Sequence, residues 1–157
     1  MNKVLLKSDF DFDFILLAIS CSLKDYRLCH FINKYSGLSL QKSKDHEAFI
    51  PLYNTICRFS NYTCVSEEVE TEYYFLSNRA EDDGLLIPEM KNTDYFLIIK
   101  NFIDEEDLTH LLDSINAIPE VVVATEIDPV RLKSRENLIF WGLSVAKCIK
   151  YTILAVE

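Results

Sequence analysis

The sequence predicts an α+β fold: a mostly antiparallel sheet with two β-α-β units and helices packed on one face. Three observations carry that prediction. Strand-type runs stand before and after two amphipathic helical stretches, the middle of the chain is aromatic and β-branched, and one hydrophobic interior fits a chain of 157 residues. The composition is that of a globular protein, with 49% hydrophobic and 26% charged residues. Only 3 glycines and 4 prolines exclude glycine-rich phosphate loops and flexible linkers. A net charge of −9 argues against a nucleic-acid platform and against anionic membranes.

Phe10, Phe12 and Phe14 alternate with Asp11 and Asp13, and residues 15–19 continue without a polar break, which predicts a first strand entering a sheet. Ser22 is the expected N-cap of the first helix, with Asp25 in its first turn and an apolar stripe at Leu23, Tyr26, Leu28, Cys29 and Ile32. Gly37 is placed to end it in the left-handed conformation, and alternation restarts at Leu38 to Leu40. Residues 49–59 and 72–76 read as antiparallel strands around a polar loop at 60–70, and residues 85–89 as a short extended piece. Residues 93–100 form a further strand. Asp104 to Asp107 load the first turn of a second helix, Leu108, Leu111, Leu112, Ile115 and Ile118 supply its stripe, and Pro119 stops it. Residues 121–124 read as a buried strand, and Asp128-Pro129 as the start of a short helix.

Residues 111–127 resemble the second half of ferredoxin-like domains of the ACT type, a resemblance that covers one β-α-β unit. A second resemblance rests on Ile87-Pro88-Glu89, Asp94-Tyr95 and their spacing. It resembles the motif of the IPExxxVDY family of uncharacterised bacterial proteins, found mainly in the Bacteroidota, with Thr93 in place of the family's Val. Ser22 to Leu28 with Asn33, and Leu132-Lys133-Ser134 with residues 137–140, fit the same family. The resemblance implies a single α+β domain over residues 1–140 and a C-terminal extension over 141–157. It implies no activity.

The cysteines are 5, irregularly spaced and without a C-x-x-C pair, which suits a reduced cytoplasmic setting. No signal peptide or membrane span is expected: Asp9, Asp11 and Asp13 interrupt the start, and the apolar run at 138–146 is too short. Asp45-His46-Glu47 reads as a solvated loop, since neighbours on a loop diverge and no finger spacing exists; no metal or other cofactor is expected. Cys29 precedes His30, but adjacent helical side chains point about 100° apart, so Cys29 reads as a buried thiol. The acidic groups at 9–13, 67–68, 81–83 and 104–107 read as solvated surface, and the basic pairs at Lys42/Lys44 and Arg131/Lys133/Arg135 as local patches.

Asp25, Tyr26, Arg27, Asn33, Glu89, Asp94 and Tyr95 form the candidate polar cluster, as a ligand site or as a structural buckle. Tyr26 is expected to pack inward and Arg27 to reach a carboxylate at Glu89 or Asp94. Two functional classes follow. The first is a non-catalytic module binding a protein or small ligand, with a homodimer through a sheet edge as one form. The second is an enzyme or enzyme subunit with a pocket lined by Arg27, Glu89, Asp94 and Tyr95.

Overall fold

The structure is a computed structural model that describes residues 14–66, 68–101 and 103–138; the Asp9–Asp13 strand face and the extension at 141–157 lie outside them. In chain order the elements are β1 (Ile15–Cys21), α1 (Asp25–Ser36), β2 (Gln41–Ile50), β3 (Thr55–Val65), β4 (Glu72–Ser77), β5 (Tyr95–Lys100), α2 (Glu105–Asn116) and β6 (Val121–Ile127). Single 3₁₀ turns follow at Pro129–Arg131 and Arg135–Leu138. The six strands form one sheet in the order β2-β3-β4-β5-β1-β6, every neighbouring pair antiparallel. The protein is therefore α+β. β5-α2-β6 brackets β1, whereas β1-α1-β2 reaches across to the far edge. Without the β2–β3 hairpin the order is β4-β5-β1-β6, the arrangement of a ferredoxin-like sheet.

The sheet buries both faces, so there are two cores rather than one shared interior. On one face Leu17, Ile19, Phe75, Leu97 and Ile99 pack against Leu28 and Ile32 of α1 and Leu111 and Ile115 of α2. On the other, Leu16, Leu76, Phe96, Ile98 and Phe59 pack against loops and the last 3₁₀ turn, through Leu86, Ile87, Leu132 and Leu138. That is why β1 and β5 are near-continuous apolar runs: a strand covered on both sides has no wet face to mark. Each fully buried Leu, Ile or Phe stabilises by about 1.5–3 kcal/mol.

Local boundaries depart from expectation where tertiary bonds intervene. Helix α1 starts at Asp25, not after Ser22, with Lys24 extended in the cap position and no side-chain cap. The Leu23 carbonyl accepts from the Tyr95 hydroxyl at 2.6 Å and the Cys21 amide donates to Asp94 at 2.8 Å, which keeps 21–23 extended. Gly37 ends the helix at φ 86°. Asp104 caps α2 by accepting from the Asp107 amide at 2.8 Å.

The largest correction concerns the middle of the chain. Residues 41–47, polar enough to read as loop, are an edge strand, and β3 runs on to Val65 through the expected loop. An edge strand half open to water carries polar side chains without losing its ladder. Residues 85–89 make only an isolated bridge, Arg79 with Leu85, before turning.

Candidate functional site

Asn78, which no motif had marked, organises the segment between β4 and β5. It is fully buried. Its amide nitrogen donates to the carbonyls of Met90 (3.0 Å) and Thr93 (2.7 Å), and its Oδ1 accepts from the Ile87 amide at 2.8 Å. Its backbone bonds Asp94 and Leu86. One side chain thus ties both ends of the Ile87–Thr93 stretch. The only signal in the sequence was a polar residue following the buried strand run Glu72–Ser77.

Five of the seven candidate residues fall in three places. Asp94, Tyr95 and Asp25 gather where β1 meets α1: Asp94 accepts from Cys21, Tyr95 donates to Leu23, and Asp25 accepts from the Tyr62 hydroxyl at 3.2 Å. Tyr95 also stacks on Phe75, with ring centroids 5.1 Å apart. Burial, then the Asp25 charge, raise the pKa of both hydroxyls, that of Tyr62 to about 12. Asn33 lies elsewhere and pairs with the backbone of Leu40, donating from Nδ2 to its carbonyl at 3.0 Å and accepting from its amide at 2.9 Å. Glu89 sits on the opposite side of the sheet. Its carboxylate accepts from the amide and the hydroxyl of Ser134, both at 2.7 Å. Burial alone would raise its pKa, but the Ser134 bonds outweigh it and hold Glu89 below the ordinary carboxylate range.

Tyr26 is 59% exposed instead of packed inward, because a helix beginning at Asp25 turns position 26 to solvent. Arg27 is exposed and makes no ion pair with Glu89 or Asp94; the described pairs are Lys42–Asp45, Arg58–Glu47 and Arg131–Asp128. The pocket expected from Arg27, Glu89, Asp94 and Tyr95 is therefore not assembled. What Glu89, Asp94 and Tyr95 share is fastening: each bonds the backbone of a residue distant in sequence.

A different concavity lies at the start of α1. It is an open cleft of about 850 Å³ lined by Lys24, Asp25, Lys42, Asp45, Arg58, Arg79, Glu81 and Asp82, with Tyr95, Ser60 and Ser77 among its lining. Four cationic and four anionic side chains leave it with no net sign. Ile56 is part of the lining, and opposite it in the β2–β3 hairpin stands Phe49; Phe49, Leu52 and Tyr53 are exposed at 52%, 70% and 39%. Exposed apolar side chains this close together are uncommon on a surface without a partner.

His46 is not in a loop. It is buried on β2, and its Nε2–H donates to the Asn137 carbonyl at 2.7 Å. Burial lowers its pKa. Among the described residues no three His, Cys, Asp or Glu side chains group closely enough to hold a metal ion. Cys21, Cys29 and Cys57 are buried, and desolvation raises the pKa of each thiol, that of Cys29 to about 11, the opposite of what an attacking thiolate needs.

No protein-family profile, curated protein or solved structure matches the chain. The three stretches that resemble the IPExxxVDY family nevertheless meet in space: Glu89 holds Ser134, Asn137 donates to the Leu86 carbonyl at 2.8 Å, and Tyr95 holds Leu23. Those motif residues belong to the scaffold. No helix among the described residues is long and apolar enough to cross a membrane.

Proposed function

We propose that the protein is a non-catalytic accessory module that binds a protein partner through the cleft at the start of α1 and the apolar end of the β2–β3 hairpin. The observation that carries this reading is the placement of Phe49, Leu52 and Ile56 beside a charge-balanced, open concavity. A cleft with both signs and an apolar lip suits a polypeptide better than a small anion or a metal. Of the residues named for an enzyme pocket, Asp94, Tyr95 and Glu89 bond the backbone of Cys21, Leu23 and Ser134 instead of converging on one site. A cytoplasmic location belongs to the same proposal and is supported by the free thiols of Cys21, Cys29, Cys57 and Cys64. So does membership of the IPExxxVDY family, supported by the Ile87-Pro88-Glu89 and Asp94-Tyr95 motif.

The test is affinity capture from a host extract with the wild-type chain and with a Leu52→Asp/Ile56→Asp variant. Specific proteins retained by the first and lost with the second are expected. Identical retained sets, with both chains folded by circular dichroism, refute the reading.

A further inference from the structure

The sheet has two terminal strands, and the fold treats them differently. At β6 the edge is plugged: Asn116 of α2 accepts from the Ala124 amide at 2.8 Å and donates to its carbonyl at 2.9 Å, filling the place a neighbouring strand would take. Asn33 of α1 treats Leu40, just ahead of β2, in the same way, but no described side chain brackets both backbone groups of a residue within Gln41–Ile50. The edge residues of β2 instead carry a charge sequence of two signs, Lys42 and Lys44 followed by Asp45 and Glu47.

That sequence is self-complementary only because of a bulge. The β2–β3 register runs Ser43 with Asn61 and then His46 with Phe59, so Lys44 and Asp45 together oppose Ser60. In a regular strand residues 42 and 47 would point to opposite faces. Here both lie on the helix-covered face: the Lys42 ammonium sits 5.3 Å from the Tyr62 ring, and Glu47 accepts from Arg58 at 3.0 Å. Leu40, in the helix-side core, and exposed Phe49 share that face as well. His46, Ala48 and Ile50 line the other.

We propose that β2 pairs antiparallel with β2 of a second copy about a two-fold axis between Lys44 and Asp45. In that register Lys42 faces Glu47 of the other copy and Lys44 faces its Asp45, while Leu40, whose backbone Asn33 holds, stays outside the pairing. Each contact occurs twice, while Ser43 faces His46 and Gln41 faces Ala48 on the other side of the joined sheet. A shift by one residue breaks all four opposite-charge contacts and sets Lys44 against Lys44 or Asp45 against Asp45, according to its direction, so the charges select the register as well as favouring contact. The internal pairs Lys42–Asp45 and Arg58–Glu47 are exposed and weakly held, so they yield to the intermolecular ones. Lys42 and Asp45 belong to both this edge and the cleft, so dimerisation and partner capture are told apart through Leu52 and Ile56, which take no part in the pairing.

The test is sedimentation velocity on the full chain across the micromolar range, with two variants: Lys42→Glu/Lys44→Glu, whose edge is wholly acidic, and Asp45→Lys/Glu47→Lys, whose edge is wholly basic. The wild type is expected to dimerise. Each variant alone should lose dimerisation by about a hundred-fold or more, since four facing attractions become repulsions. An equimolar mixture of the two should recover a mixed dimer. A wild type that stays monomeric throughout overturns the proposal. So does a variant that dimerises like the wild type, or a mixture that stays monomeric while both chains are folded by circular dichroism. Dimerisation that survives Leu52→Asp/Ile56→Asp while capture is lost separates this result from the reading above.

Discussion

Replacing Asn78 tests whether one buried amide holds the whole β4–β5 connection. In Asn78→Ala the Met90 carbonyl still accepts from the Thr93 amide, so two groups are orphaned, the Ile87 amide and the Thr93 carbonyl. Ile87 is fully buried and Thr93 is 7% exposed, so water does not readily replace the lost partner at either. At about 1–3 kcal/mol per unsatisfied buried group, with a small cavity added, the expected loss is about 3–5 kcal/mol. Urea unfolding followed by far-ultraviolet circular dichroism reads this as a fall in midpoint of about 2 M, for a slope of about 2 kcal/mol/M. Asn78→Asp adds a control of equal size. It keeps an acceptor for Ile87 but sets carboxylate oxygen against two carbonyls, which raises the folded-state pKa of the new group. Stability is then greatest below the ordinary carboxylate pKa of about 4 and is lost as pH rises through the raised value. A loss below about 1 kcal/mol in Asn78→Ala refutes the assignment.

Three further outcomes follow from the same geometry. His46 is held neutral by burial, so the unfolded chain takes up a proton first as pH falls below 6.5, and stability drops by at most about 1.4 kcal/mol per pH unit until the folded pKa is reached. Urea midpoints at successive pH values should show this slope in the wild type and lose it in His46→Gln. Glu89→Gln and Ser134→Ala should each cost about 1–2 kcal/mol, with a coupling of about 1 kcal/mol in the double-mutant cycle; additive losses would break the staple argument. Because the Glu89 pKa is depressed, its contribution is present above the ordinary value of 4.5 and vanishes as pH falls through the lower folded value. At mildly alkaline pH, Cys21, Cys29 and Cys57 should resist alkylation until denaturant is added, as mapped by peptide mass spectrometry. Rapid native labelling of Cys29 would contradict its place against the Leu40 carbonyl.

Elements whose local chemistry matches their tertiary role were legible in the sequence. β1 and β5 announce themselves as apolar runs, α2 by Asp104 and its acidic first turn, and the end of α1 by Gly37. β2 was not legible, because an edge strand with one open face takes residues as polar as Asp45 and Glu47, and pattern alone cannot tell that from a loop. The start of α1 was missed for a different reason. Ser22 is a competent cap, but Tyr95 and Asp94, more than seventy residues away in sequence, hold residues 21–23 extended. The candidate cluster shows the same limit. Polar residues of the right types were found, yet whether Glu89 faces a ligand or Ser134 depends on a contact 45 positions along the chain. The hairpin's Phe49, Leu52 and Ile56 could be read only as strand residues until their common exposure was visible.

The paired amides of Asn33 and Asn116 have a consequence for how this chain can change. Each reads the backbone of a residue just ahead, Leu40 at a separation of 7 and Ala124 at a separation of 8. A single inserted or deleted residue between 34 and 39, or between 117 and 123, would slide the amide off its target and turn the following strand by one pleat. The two connectors are thus fixed-length rulers, while the turn at 51–54 between β2 and β3 is read by no such amide among the described residues and is where length should vary among related chains.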